Sequence, residues 1–192
     1  MVAGYVDFQI RHAEFPLLVV GTGANPTGFQ GPDVVHLDLD IWNVPRFVQG
    51  DAHALPFRSG SFRSCLLGDV LEHVLDPVQV LRECGRVAKR TVCTVFEEWR
   101  IGPPGQHLEA GHALYAPVES HYQPFRDSGQ CRVRYSEDRL SHSPHIWAFT
   151  LPMLQGMIAE AGLRVLHLET DCPGVHDGHA MNNWLFVLEG TS

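Results

Sequence analysis

Continuous apolar runs, each ending in a glycine or a carboxylate, organise the first half of the chain. Pro16-Leu17-Leu18-Val19-Val20 runs into Gly21-Thr22-Gly23, the pattern of a strand buried on both faces that feeds a turn open to a ligand. Val34-Val35-His36-Leu37-Asp38 and Arg46-Phe47-Val48-Gln49-Gly50-Asp51 read as a second and third strand, each ending in a carboxylate. Ser61 to Gly68 is a fourth, followed by Asp69. The period then changes. Asp76 and Pro77 form an N-cap and first helical position, and Val78, Leu81, Cys84 and Ala88 recur on one helical face. Thr91 to Phe96 is β-branched and reads as a fifth strand.

Near the C-terminus a helix is expected from its cap Thr150 through Leu151, Leu154, Ile158 and Ala161 to a stop at Gly162. Leu163 to Leu168 and Trp184 to Leu188 are two closing strands with no helical pattern between them, hence an antiparallel pair. Seven strands interleaved with helical segments indicate an α/β fold, an open sheet with helices on its faces. Between Glu97 and His145 the periodicity disappears while aromatics and histidines accumulate, so residues 97–145 are expected to form an inserted lid or substrate-binding segment within a single domain spanning 1–192.

Composition narrows the function. The 192 residues suffice for one core without staples, and 44% apolar with 19% charged residues is an ordinary globular balance. A net charge of −8 argues against duplex nucleic acid as a partner. Lys89 is the single lysine, so no P-loop Gly-Lys-Ser/Thr exists. Five cysteines without a C-x-x-C, and Cys65, Cys84 and Cys93 in apolar segments, suggest buried reduced thiols and a cytoplasmic protein. The first eleven residues carry Asp7 and no long apolar run, unlike a signal peptide, and no stretch is long and apolar enough to span a membrane. Of the twelve histidines, His176-Asp177-Gly178-His179 and His107-Leu108-Glu109…His112 have ligand-like residue types but no standard zinc spacing, and Asp-Gly is ordinary turn chemistry; no metal is expected.

In an open α/β sheet, ligands sit beyond the carboxyl ends of the strands. Four such ends here carry Gly21-Thr22-Gly23, Asp38, Asp51 and Gly68-Asp69. Glycines let a ligand approach the backbone, a carboxylate after the second strand can accept both hydroxyls of a ribose, and one after the third can accept from an adenine amine. Any one Asp at a strand end is as well explained by a turn; four groups along one edge are not.

Gly50-Asp51-Ala52-His53-Ala54-Leu55-Pro56-Phe57, then Ser61-Phe62, Leu71-Glu72-His73-Val74, Leu81-Arg82-Glu83 and Arg86-Val87 follow in an order and spacing that resemble the class I S-adenosylmethionine-dependent methyltransferases, particularly the type 11 group. The resemblance covers Leu17 to Phe96. It implies a seven-stranded, mostly parallel Rossmann-like sheet of order 3-2-1-4-5-7-6 with the last strand antiparallel, S-adenosylmethionine as cofactor, and methyl transfer to a small-molecule or sugar-type acceptor. It further implies that Gly21, Thr22 and Gly23 cradle the methionine half and ribose. Asp38 would take the ribose hydroxyls with Leu39 beside the adenine, and Asp51 the adenine amine with Ala52 against the ring. Gly68 and Asp69 would form the floor near the sulfonium. Asp40 competes with Asp38 should the second strand run two residues further.

Methyl transfer from a sulfonium needs mainly proximity and orientation; a base matters only where the acceptor must lose a proton. His73, with Glu72 beside it, is the candidate base, and the plainer role for both is to cap and brace the next helix. The chain departs from the family pattern at Val19, where an acidic residue is usual, at Asn25 in place of the third glycine, and at Arg63 in place of an Asp. Pro26 and Gly28 shorten the first helix. These departures keep open a second reading, a degenerate methyltransferase fold that binds cofactor or a partner without catalysis. A nicotinamide-dependent oxidoreductase fits less well, because Pro26 stands where its fingerprint needs glycine.

Overall fold

The computed structural model describes residues 3–23, 28–96, 149, 151–176 and 179–191. Its strands are β1 (Leu17–Val20), β2 (Val34–Asp38), β3 (Phe47–Gln49), β4 (Phe62–Gly68), β5 (Ala88–Phe96), β6 (Leu163–His176) and β7 (His179–Gly190). They form one sheet of order β3-β2-β1-β4-β5-β7-β6. The first five strands are parallel, and β7 runs antiparallel to both β5 and β6. The described helices are α1 (Ala3–His12), α2 (Pro77–Val87) and α3 (Leu151–Glu160), with a single 3-10 turn at Leu71–His73.

The apolar runs are explained by cover on both faces. In the central strands successive residues enter two different cores. Leu18, Val20, Cys65, Leu67, Cys93, Phe186 and Leu188 face α2 and α3, which contribute residues such as Leu81, Cys84, Leu154 and Ile158. Leu17, Val19, Leu66, Val92, Leu185 and Val187 face the other way, against Phe8 of α1 and Phe29. No side of β1 is left for a polar residue, so alternation is absent from it.

The start of α2 is as the sequence indicates. The Asp76 carboxylate accepts from the Gln79 N–H at 2.9 Å, and Pro77 follows it. Asp76→Ala is expected to lower stability by about 1 kcal/mol, measured as a shift in urea midpoint without a change in slope; an unchanged midpoint would mean the cap is dispensable.

Several boundaries differ from expectation. Ala88 is the first residue of β5, paired with Phe62, and not the last position of the helical face; its backbone is extended while its N–H still closes the final turn on Cys84. β5 therefore starts three residues before the β-branched run. β6 and β7 extend to His176 and His179, which pair with each other at the end of a long antiparallel ladder. α1 was unexpected, since Phe8 is the one fully buried large apolar side chain among its described residues. The connections of residues 39–46 and 50–61 contain no helix, so strands and helices do not strictly interleave on that side. α3 matches the expected helix from Leu151 and is closed by Gly162 in a left-handed conformation, φ 74°; its expected cap Thr150, and residues 97–145, lie outside the described residues.

Candidate functional site

Strand register brings three of the four candidate strand ends into one line, with Gln49 level with them at the third strand and Asp51 two residues further on. Val20 is level with Leu37 of β2 and Leu67 of β4. One step further, Gly21, Asp38 and Gly68 are level with one another. Gln49 flanks Asp38 on one side, and Thr94 flanks Gly68 on the other. Four inter-strand steps of ~4.8 Å make this edge about 19 Å long, room for an extended ligand with a polar group at each step.

The glycine turn closes on its neighbours through the backbone. Gly21 N–H donates to Leu37 O at 2.8 Å, and Gly21 sits at φ 71°. A side chain there would meet Val70 Cγ2 at 2.5 Å, so glycine is required by both conformation and space. Gly23, at φ 61°, is different: among the described residues nothing lies within 4 Å of where its Cβ would be. Its N–H donates to Asp38 Oδ2 at 2.8 Å, and Asp40 N–H donates to Asp38 Oδ1 at 3.0 Å. Asp38 thus ties the turn after β1 to the end of β2. Each carboxylate oxygen retains a lone pair for a further donor. Asp40 is exposed and gives its N–H to Asp38, which is the last residue of β2. Leu39 and Ile41, just beyond, are 68% and 75% exposed, an apolar surface beside the carboxylate.

Thr22 is buried beneath the turn, where its hydroxyl meets His36 Nδ1 at 3.2 Å. His36 is itself buried, and the Phe29 backbone bonds its ring. Burial holds the His36 ring below its ordinary value of 6.5, and the Phe29 contact only partly offsets this. The unfolded chain therefore takes up a proton below about pH 6.5 that the folded chain refuses. Stability from this group is intact above that pH and falls as the pH drops through and below it. Urea midpoints from pH 8 to 5 should show this decline, and His36→Gln should flatten it. His12, lowered first by burial and then by the neighbouring His167, acts with the same sign, so the slope shrinks without vanishing. A midpoint that rises towards pH 5 would contradict the account.

Asp51 is exposed at the end of the third strand's turn. Its Oδ1 accepts from both the backbone N–H of His53, at 2.9 Å, and His53 Nδ1, at 2.6 Å. His53 Nε2 in turn accepts from Asp76 N–H at 3.1 Å, which assigns the ring as neutral with its proton on Nδ1. Burial raises the Asp51 carboxyl, but the two His53 bonds outweigh it and the net shift is downward. Oδ2 has no protein hydrogen bond among the described residues. Ala52 packs its methyl against the core.

The residues between Asp51 and Phe57 are fastened to α2. Gln79 Nε2 donates to His53 O, Glu83 Oε2 accepts Leu55 N–H, and Arg86 donates to the carbonyls of Leu55 and Phe57. Glu83 and Arg86 pair at 2.7 Å through both guanidinium nitrogens Nε and Nη2. This bonding explains why the Ala-Leu-Pro-Phe and Arg-Glu…Arg segments occur together. His53, Glu83 and Arg86 as loop anchors were missed by sequence reasoning; the co-occurrence of the two segments was the available signal.

At the other end, Gly68 closes β4 opposite Thr94, and Asp69 takes a left-handed φ of 52° while its N–H donates to Thr94 O at 3.1 Å. Asp69 is exposed there. His73 is half-buried in the 3-10 turn, and Glu72 is buried beside it. Neither caps α2, a role that Asp76 fills. Burial, and for Cys65 its contact with Cys84, raises the thiols of Cys65 and Cys93, which therefore stay protonated and unreactive.

The edge fits an adenosyl cofactor on its own features: no described residue over Gly23, spare lone pairs on Asp38 and Asp51, and exposed apolar side chains between them. Residues 21–96 match the family model described as a methyltransferase domain. A comparison with curated proteins finds no match. Among solved structures, a S-adenosylmethionine-dependent methyltransferase from Methanosarcina mazei is 12% identical with TM-score 0.59, covering 92% of each chain. The Burkholderia thailandensis 1,6-didemethyltoxoflavin-N1-methyltransferase, solved with 1,6-didemethyltoxoflavin and S-adenosylhomocysteine, is 15% identical with TM-score 0.60, covering 99% of this chain and 78% of that one. The [4+2]-cyclase SpnF is 15% identical with TM-score 0.53, covering 91% and 74%. At these identities the structural likeness speaks for the fold.

Proposed function

We propose that this chain is a class I S-adenosylmethionine-dependent methyltransferase that transfers a methyl group to a small-molecule or sugar-type acceptor, a reading supported by its fold and by the match over residues 21–96. The observation that carries the reading is the line Gln49–Asp38–Gly21–Gly68–Thr94, with the Asp38 carboxylate bonded to the Gly23 N–H. When bound, S-adenosylmethionine supplies an activated methyl on a sulfonium. Asp38 would accept the ribose hydroxyls with Leu39 beside the adenine. Asp51 Oδ2 would accept the adenine amine and Ala52 would face the ring. Gly21, Thr22 and Gly23 would cradle the methionine half, and Gly68 and Asp69 would floor the sulfonium end. The segment 97–145 follows β5 directly and is proposed to wall the acceptor pocket and exclude water. Where the acceptor must lose a proton, a ring nitrogen of His73 would receive it. No described helix is long and apolar enough to cross a membrane.

The test is incubation with methyl-labelled S-adenosylmethionine and a panel of small hydroxylated and amine acceptors. Label transferred to an acceptor, with S-adenosylhomocysteine formed in equal amount, is expected. A second reading, cofactor or partner binding without catalysis, is favoured by Val19: the usual acidic position is here 3% exposed and packed in the second core. SpnF, named a cyclase, illustrates that the fold by itself does not dictate methyl transfer. Binding with no transfer across the panel would favour that reading.

A further inference from the structure

On the face of the sheet that carries α1, and away from the proposed cofactor edge, three metal-ligating side chains meet. His12 comes from the last turn of α1. His167 and Glu169 come from β6, two residues apart and hence on one face; they lie opposite Val187 and Leu185, which belong to the core under α1. One ligand atom from each of the three lies within 4.8 Å of the others. The His12 and His167 rings are 5.2 Å apart between centroids, and both rest against the buried Phe8 ring, at 4.6 and 6.1 Å.

As a hydrogen-bond network the cluster is incomplete. Glu169 Oε1 accepts from His167 Nε2 at 2.7 Å and from Arg11 Nη1 at 3.2 Å, and Oε2 accepts from Arg11 Nη2 at 2.9 Å. His12 Nε2 is buried and has no hydrogen-bond partner among the described residues. A buried ring nitrogen without a partner, on a side chain that offers a ligand atom within 4.8 Å of two other metal-binding groups, calls for an occupant.

We propose that His12, His167 and Glu169 form a binding site for a divalent cation of the zinc class, which two imidazoles and one carboxylate suit. The cation takes the lone pairs of His12 Nε2, His167 Nε2 and Glu169 Oε1. The His167 proton moves to Nδ1, and Arg11 keeps its bond to Oε2, which holds a positive charge beside the cation. Zinc-bound nitrogens and oxygens are separated by roughly 3.3 Å, given bonds of ~2.0–2.2 Å, so modest side-chain rotation closes the site. Its effect would be to clamp α1 onto the edge strand β6. The ligands come from opposite ends of the chain, which is why no zinc spacing marks them in the sequence. Arg11 opposes the cation, and its removal therefore separates a metal site from a plain ion pair.

The test is titration of the 192-residue chain with Co2+, followed by displacement with Zn2+. One saturable equivalent with the visible absorption of low-coordinate Co2+ is expected, together with a higher unfolding midpoint in Zn2+. His12→Gln, His167→Gln and Glu169→Gln should each weaken Zn2+ binding by about ten-fold or more, and should remove the rise in midpoint. Arg11→Met should lower stability in chelator yet bind Zn2+ more tightly than the parent; binding no tighter counts against the site. Absence of saturable binding at micromolar metal, or binding indifferent to His12→Gln and His167→Gln together, would overturn the proposal.

Discussion

Asp38→Ala should weaken S-adenosylhomocysteine binding by roughly ten- to a hundred-fold, the cost of about 1.5–3 kcal/mol for losing charge-assisted bonds. Asp40→Ala should change it little. Asp38 would lose more than the ribose contact, because its carboxylate also receives the Gly23 and Asp40 N–H groups. Removing it costs the turn after β1 its tie at Gly23 and leaves the Gly21 N–H bond to Leu37 O. Asp38→Asn retains an acceptor oxygen and should fall between the parent and Asp38→Ala. Isothermal titration of the three variants decides the matter. A larger loss in Asp40→Ala would move the ribose site two residues along the chain.

The second large effect is expected at Arg86, far from any atom of a ligand. Its guanidinium bonds Glu83 and the carbonyls of Leu55 and Phe57. Arg86→Ala leaves Glu83 with a single partner, the Leu55 N–H, and frees two carbonyls. The expected loss is roughly 2–3 kcal/mol of stability, counting the bonds to a charged group and allowing for water reaching the half-exposed side chain. Cofactor affinity should fall as well, since the Asp51 turn is then held mainly through His53. Arg86→Lys should rescue little of either, because an ammonium cannot repeat the planar fork. Urea denaturation combined with calorimetry measures both; full stability in Arg86→Ala would show the network to be ornamental.

The parallel half of the sheet was legible because its strands are buried on both faces and punctuated by Gly21, Asp38 and Gly68, so apolar runs and their breaks mark it directly. The cap at Asp76 was legible because N-capping is local chemistry. What was hidden has physical reasons. α1 has one deeply buried anchor, Phe8, and its attachment depends on partners at the far end of the chain, including Arg11 to Glu169. Ala88 has no strand propensity; pairing with Phe62 places it in β5. In the candidate site, residue types at strand ends were readable, while their alignment came from register. The anchoring roles of His53, Glu83 and Arg86 act through backbone groups, which sequence does not display.

The central claim is that the carboxyl edge of β1 to β4 binds the adenosyl cofactor, and direct calorimetric titration tests it. S-adenosylmethionine and S-adenosylhomocysteine should each bind at one equivalent, with the heat lost in Asp38→Ala and a nicotinamide dinucleotide giving no heat. Binding of the dinucleotide, with none for either adenosyl ligand at millimolar concentration, would contradict the account.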